Sequence, residues 1–412
     1  MYATGAAAEP RGDTLLAGQV AVLLVGATSA VQIGNITVTL LSVVCLLCVP
    51  GFLLMTHRGI ELLPLVFATL GWLSFLASCL LNNVSLLWPN AVAPAAFSLY
   101  LMGFTVLTDR SVDRVAAMLA GIGVGTVGFF VLEGIELTRT GDFGDLWKYG
   151  IAHGVTIVLL FALTTARVSA VAQAGVLAVV GVGTLALNFR AHALVCLVAS
   201  VILVIHRLAG ARIGRAWQFA GVALFALLFS YVMPLLARAG VFGADLQRKI
   251  VEQQSTQLPA LLAGRTEPPM TLTAISERPL LGWGSAMNLT PDVYAQAEHL
   301  AIRMGFPPTF PFELYWRLPA SDYSAIHSIL LGSWAEGGVL AVLLPTWLLV
   351  MCVGVVWHNA RFGRWAPLVL TVALQGAWDL LYSPWTYNMI PEFACLALLF
   401  AALGRRREGS WR

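Results

Sequence analysis

The sequence predicts an all-α polytopic membrane protein with about twelve transmembrane helices and one large translocated loop, carrying short helices, between spans nine and ten. Composition is the first reason: 58% of the residues are hydrophobic, 11% are charged, and the mean hydropathy is +0.81. So little charge cannot cover so much apolar surface in water. The second is that apolar windows of about 18 to 23 residues, the length that crosses about 30 Å of hydrocarbon, recur from end to end. The third is a polar stretch over residues 238–326, the long interruption of that pattern.

Taken in order, spans are expected at residues 14–33, 36–55, 60–82, 91–108, 115–137, 149–166, 169–188, 191–208, 217–237, 338–357, 366–384 and 389–404. The seventh and eighth are divided only by Asn188-Phe189-Arg190, so a helix must stop and restart there. Basic residues in short loops stay on the cytoplasmic side. With the N-terminus inside, that side collects Arg58, Arg110, Arg114, Arg167, Arg207, Arg212, Arg215, Arg361, Arg364 and the tail Arg405-Arg406-Arg407, while the short loops near Asn35, Asn83 and Tyr387 carry no Lys or Arg. Both termini are therefore expected in the cytoplasm and the long loop outside. The expected organisation is a bundle of spans one to nine (1–237), an external loop ending in a histidine-bearing helix (238–337), and spans ten to twelve with the basic tail (338–412). The first apolar segment follows Arg11 without a small-residue cleavage site and reads as an ordinary span.

Several patterns carry no chemistry. Cys45, Cys48, Cys79, Cys196, Cys352 and Cys395 all fall within expected spans, so they read as packing residues and cannot staple the loop. Gly123-Val124-Gly125-Thr126-Val127-Gly128 matches a dinucleotide-binding fingerprint by letter, but it sits in span five with no strand around it; close helix packing through small residues is the better account. The N-x-S/T triplets at Asn35, Asn83 and Asn288 are too short to carry weight. The net charge of +3 follows from the cytoplasmic arginines, and the terminal arginine run reads as an orientation signal at anionic headgroups rather than a nucleic-acid site.

Ionisable residues at the edges of the spans are more informative, because each costs roughly 2.5–3.5 kcal/mol at a helix centre. Glu133, Glu136, Arg139 and Lys148 bracket the exit of span five and the entry of span six, Arg190 starts span eight, Asp379 lies late in span eleven and Glu392 begins span twelve. All lie toward the outer leaflet. A transporter would place such groups nearer the midplane, often on broken helices in paired repeats. Neither pattern is present, and the set describes a cavity opening outward. The loop adds Arg238, Arg248, Lys249, Arg265, Arg278, Arg303 and Arg317 against a similar number of acids, so any anion would be held by arginines placed singly. Val293 to Met304 has mixed apolar and charged faces and reads as a helix on the membrane surface; Pro268-Pro269 and the run from Pro307 to Pro311 read as irregular connections.

Four segments in this order carry a resemblance. Asn188-Phe189-Arg190-Ala191 is similar to a Ser-Arg-Gly-Ala pattern at a helix start, and Gly264-Arg265 to a loop arginine. Arg278-Pro279-Leu280-Leu281-Gly282-Trp283-Gly284 is similar to a Pro-Leu-x-Gly-x-Gly turn, and His327 through Gly337 to a histidine helix ending Glu-x-Gly. Asp379 adds a late-helix acid, and Thr138-Arg139-Thr140-Gly141-Asp142-Phe143 an Arg-x-x-Gly-x-Phe segment. With the whole topology, these resemble the O-antigen ligase and polymerase superfamily, and most of all the lipopolysaccharide O-antigen ligases. The chain departs from the family at His327-Ser328, where His-Asn is common, and at Phe189, where a small residue precedes the helix-start arginine.

The resemblance implies an inverting glycosyltransferase of the Gram-negative inner membrane, independent of metal or other cofactors. It would move an undecaprenyl-pyrophosphate-linked glycan onto a sugar hydroxyl of lipid A-core at the periplasmic face, its partners being that donor, that acceptor and membrane lipids, with no nucleic acid. His327 suits a general base by type. Arg190 and Arg265 suit stabilisation of the pyrophosphate leaving group, with Arg139 and Lys148 in support. Asp379 would orient His327 or hold an acceptor hydroxyl, whereas Arg278 and Glu336 read as structural residues near the site. Each has a plainer reading: Arg190 reaching to headgroups, His327 buried against backbone, Arg265 or Asp379 in an ordinary ion pair. The alternatives in function are the related polymerase, which typically has two sizeable external loops, and a flippase for lipid-linked glycans, which would do no chemistry.

Overall fold

The computed structural model describes residues 12–33, 38–57, 59–132, 142–209, 215–241, 243, 247–248, 266–316, 326–386 and 388–408. Arg139, Arg265, Glu133, Glu136, Lys249 and Arg317 lie outside them. In chain order the helices are α1 (Gly12–Ala27), α2 (Leu40–Leu54), α3 (Gly59–Leu81), α4 (Pro89–Thr108), α5 (Val112–Leu132), α6 (Phe143–Leu146), α7 (Ala152–Thr165), α8 (Ala170–Ala186), α9 (Arg190–Ala209) and α10 (Arg215–Arg238). The loop contributes α11 (Pro268–Glu277), α12 (Pro291–Arg303), α13 (Phe312–Trp316) and α14 (Ile329–Gly337), and the chain closes with α15 (Leu343–Trp357), α16 (Ala366–Tyr382) and α17 (Met389–Glu408). Among the described residues five helical segments are long and apolar enough to cross a membrane: Glu61–Leu81, Pro89–Thr108, Val112–Val131, Phe143–Thr165 and Arg190–Leu208. A sixth follows if Leu343–Trp357 and Asn359–Tyr382, bent by 72°, form one span.

Lipid is the solvent these helices are built for. Leu54 is 88% exposed, Leu208 78%, Leu47 76% and Val179 73%, a spread of bare aliphatic surface that water would not tolerate. The apolar helices make this a membrane-embedded protein. Between helices there is then no hydrophobic driving force, and contact depends on close approach. On α1 and α5 glycines supply it: a Cβ on Gly121 would lie 2.1 Å from the Leu23 carbonyl oxygen, and one on Gly26 2.7 Å from that of Met118. Gly123 packs in the same way against Gly154 of α7 and Gly125 against Ser29, while Gly128 faces open space, so two of the three fingerprint-like glycines are packing residues. The six cysteines are free thiols.

One helix orients the bundle. α3 has 23 residues, about 34 Å at 1.5 Å each, enough to cross the hydrocarbon. Near its start Glu61 meets Arg110 at 2.9 Å, and at the same end Arg364 meets Asp113 at 2.6 Å, so basic loops far apart in sequence gather together. At its other end Ser78 donates to the Glu336 carbonyl (2.7 Å) and Asn82 accepts from Arg278 (2.7 Å), which joins α3 to the polar loop. α16 and α17 lie deepest: α16 is buried continuously from Ala366 to Ala373 and again at Gln375, Gly376, Asp379 and Leu380, and α17 from Ile390 to Leu399.

The loop has its own core and differs from the sequence expectation in two places. α12 is not a surface-lying helix: Val293, Tyr294, Ala297 and Ala301 are buried in a cluster with Met270, Ala274 and Trp283, so its apolar stripe is spent against α11. Pro268-Pro269 is not an irregular connection but the first turn of α11, where a missing N–H leaves nothing unpaired. Phe306, Phe310, Phe312 and Trp316 pack in sequence, the first pair edge-on and the next two tilted, with centroids 5.1, 5.0 and 4.7 Å apart. Two boundaries also move: the sixth segment starts at Phe143 and includes a π-helical turn at Trp147–Ile151, and the tenth is helical only from Leu343.

Candidate active site

The histidine named from the sequence stands at a helix entrance. Ser328 caps α14 by accepting from Leu331 N at 3.2 Å, and its hydroxyl donates to the Leu380 carbonyl at 3.3 Å. His327, one residue ahead, is thereby set beside the end of α16. Its Nδ1 lies 2.9 Å from Glu267 Oε1. Glu267 is itself held, because it begins α11, its carbonyl accepts from Thr271 N at 2.9 Å, and its neighbour Thr266 accepts from Trp316 Nε1 at 3.0 Å. The contact is an ion-pair distance without hydrogen-bond alignment; a carboxylate there favours the proton on Nδ1, with Nε2 then the acceptor. The Nδ1 atom is buried while 36% of the side chain is exposed, so the free edge of the ring faces outward.

Asp379, expected to orient His327 or bind a hydroxyl, is engaged elsewhere. Gln375 Nε2 donates to both its oxygens (3.0 and 3.1 Å) and Ser383 Oγ to one (2.8 Å). Gln375 Oε1 lies 3.2 Å from His192 Nδ1, and His192 Nε2 2.9 Å from Thr156 Oγ1. Beside it His153 Nε2 lies 2.8 Å from Glu392 Oε2, its ring 6.0 Å from that of His192. This cluster joins α7, α9, α16 and α17 at the loop end of the bundle. Sequence reasoning found Asp379, Glu392 and Arg190 as edge ions but gave the two histidines no partner. Their only signal was a histidine near the start of an apolar helix, twice.

Arg190 is half-buried as the first residue of α9. The helix can restart so abruptly because Asn188 takes φ +57°, with Phe189 N bonded to the Thr184 carbonyl at 3.1 Å to end α8; asparagine tolerates this region better than most residues. Lys148 lies in the π-helical turn, donating to Tyr149 Oη at 2.7 Å. Such turns are common at functional positions. Arg139 and Arg265 fall outside the described residues.

Arg278 and Glu336 build the floor. The Arg278 guanidinium stacks 3.8 Å over the Trp283 ring while bonding Asn82. Glu336 is buried and accepts from Trp88 Nε1 (3.0 Å), Asn90 Nδ2 and Ala286 N (2.9 Å). Burial pushes its carboxyl above the usual range, and these three donors pull it back. Gly338, at φ +82°, lets the Leu280 carbonyl come where a Cβ would stand 2.0 Å away, and Gly282, at φ +69°, does so for Glu336. The Pro-Leu-Leu-Gly-Trp-Gly turn and the Glu-Gly-Gly helix end are thus two halves of one lock. Outside it Leu81, Asn82, Glu277, Arg278 and Leu280 line a groove of about 370 Å³.

Among the described residues no group of three His, Cys, Asp or Glu side chains is placed to hold a metal ion. Fold and site together define a helical membrane protein with a histidine–carboxylate pair at one end of its bundle. No family model and no curated protein matches the chain.

Proposed function

We propose that the chain is a ligase of the O-antigen type, an inverting glycosyltransferase that joins an undecaprenyl-pyrophosphate-linked glycan to a lipid A-core sugar hydroxyl. The observation that carries the reading is the His327–Glu267 pair: an imidazole with one nitrogen 2.9 Å from a carboxylate and 36% of its side chain exposed suits a general base. In the reaction, the acceptor hydroxyl oxygen attacks the anomeric carbon from the face opposite the leaving group. The bond from that carbon to the pyrophosphate oxygen breaks, undecaprenyl pyrophosphate departs, and the hydroxyl proton passes to His327 Nε2. Glu267 stabilises the imidazolium so formed. Arg190 and Arg265 neutralise the charge growing on the pyrophosphate; Arg265 precedes Glu267 by two residues, within about 7 Å of chain. Arg139 and Lys148 assist, while Asp379 bonds Gln375 and Ser383.

The same reading takes all twelve apolar segments as spans of a Gram-negative inner membrane, with both termini cytoplasmic and residues 238–337 periplasmic. Five shorter apolar helices, including Leu40–Leu54 and Ala170–Ala186, together with Leu343–Trp357 and Asn359–Tyr382 taken as two spans, would complete that count in a locally thinned bilayer. The test is the lipopolysaccharide profile, with parallel extraction of lipid-linked glycan, of cells lacking the gene and complemented by wild type or His327→Ala. Loss of all glycan-capped core with long glycan accumulating on the carrier is expected for His327→Ala. Cores capped by a single repeat would mean a polymerase, and an unchanged profile would leave only transport.

A further inference from the structure

Gln375 touches both His192 and Asp379, and the carboxylate sets its orientation. A carboxylate only accepts, so the amide nitrogen, 3.0 and 3.1 Å from the two Asp379 oxygens, must face it. The amide oxygen then faces His192, which must donate from Nδ1 at 3.2 Å. His192 Nε2 is left to accept from Cys196 Sγ at 3.5 Å, or from Thr156 Oγ1 at 2.9 Å when that hydroxyl turns from the Ala152 carbonyl to which it donates at 2.8 Å. Every polar atom along this chain has a partner, in contrast to His153 Nδ1 and Asn188 Oδ1, which have none among the described residues.

The ends of the chain are what make it more than packing. His192 lies on the first turn of α9, two residues after Arg190, with the Phe189 ring stacked 5.6 Å away. Asp379 and Ser383 close α16, and the adjoining Leu380 carbonyl receives the hydroxyl of Ser328, the residue after His327. We propose that Gln375 is a positioning residue for transfer, its amide holding the helix start that bears Arg190 in register with the α16 end that seats His327. This rests on the ligase reading, in which those two side chains act on opposite sides of the bond that breaks. His192, Gln375 and Asp379 are all buried, so no water replaces a lost partner; removing the amide leaves a carboxylate and an imidazole N–H unpaired and the two helices free to shift.

Replacing the amide by an acid gives a signature that simple packing would not. Two carboxylates about 3 Å apart cannot both ionise, so Gln375→Glu can rebuild the bridge only by retaining a proton. The titratable groups facing it are His192 and Cys196 of α9, His153 of α7, Glu392 of α17 and Cys352 of α15. α8 carries none, Glu336 of α14 is taken up by Trp88, Asn90 and Ala286, and Arg361 and Arg364 lie at the far end of α16.

The experiment uses the purified full chain, undecaprenyl-pyrophosphate-linked glycan and lipid A-core, with rates measured from pH 5.5 to 8.5. For Gln375→Leu, kcat is expected to fall about 10- to 100-fold at every pH, with the donor KM within about twofold of wild type. For Gln375→Glu, the rate relative to wild type is expected to rise about tenfold or more from pH 8.5 to 5.5. If Gln375→Leu fails to fold, the pH ratio of Gln375→Glu decides alone. A flat ratio, or wild-type kcat in Gln375→Leu, overturns the positioning role while His327→Ala stays inactive. Transfer by His327→Ala in the same assay would instead remove the ligase reading beneath it.

Discussion

At the scale of the residue, the site turns on which acid meets His327. Asp379 was the natural expectation, since a late-helix acid is visible in a line of apolar letters. Glu267 was not visible, because it lies in a loop rich in acids and only the return of the chain through α14 brings it to 2.9 Å. The pairing makes a sharp prediction. Glu267→Gln keeps an acceptor for Nδ1–H but loses the charge that steadies an imidazolium, so kcat should fall about 10- to 100-fold with KM nearly unchanged. Steady-state kinetics on the purified variant check this, and an unaltered kcat would return the pair to the status of an ordinary ion pair. Arg278 and Glu336 each adjoin a glycine turn that the sequence shows. Their partners Asn82, Trp88 and Asn90 were not legible, since nothing in a sequence marks which helix end a turn will face.

At the scale of the element, the helices were the most legible feature, because length and apolar composition decide them locally. The failures share a cause. Val293 to Met304 has an apolar stripe that membrane or protein could cover equally well, and the choice fell to α11, which the reading of Pro268-Pro269 had removed from consideration. The lock between the turn at Leu280 to Gly284 and the end of α14 is a further element that spacing alone could not join. It is rigid enough to test. Gly338→Ala adds a Cβ 2.0 Å from the Leu280 carbonyl at a backbone conformation reserved for glycine, costing at least about 1–3 kcal/mol from the backbone alone. Its thermal midpoint in detergent should drop below that of wild type; an equal midpoint would show that the turn yields freely.

At the scale of the whole molecule, α3 ties a basic end, at Glu61 and Arg110, to a loop end, at Ser78 and Asn82. The orientation that follows from the basic loops puts the loop end outside. Single cysteines at exposed Gln296 in α12 and exposed Ala170 at the start of α8 should then label differently with a membrane-impermeant maleimide. Gln296→Cys should react in intact spheroplasts and Ala170→Cys only after permeabilisation, each read above the background of the buried or half-buried native thiols. The reverse pattern would invert the topology and place His327 in the cytoplasm.

The amino-acid sequence by itself determined the solvent, the helices, the order of the segments and the residue types available at the loop end. Each of these follows from local composition: twenty apolar residues partition into lipid whatever lies beyond them, and arginines hold the loops that carry them. Only the tertiary structure decided the pairings, namely Glu267 with His327, Gln375 between His192 and Asp379, and Glu392 with His153. A polar side chain at a helix end takes whichever donor or acceptor the packing brings within about 3 Å. That packing rests on glycine contacts and turn geometries spread over the whole chain, so no window of sequence contains it.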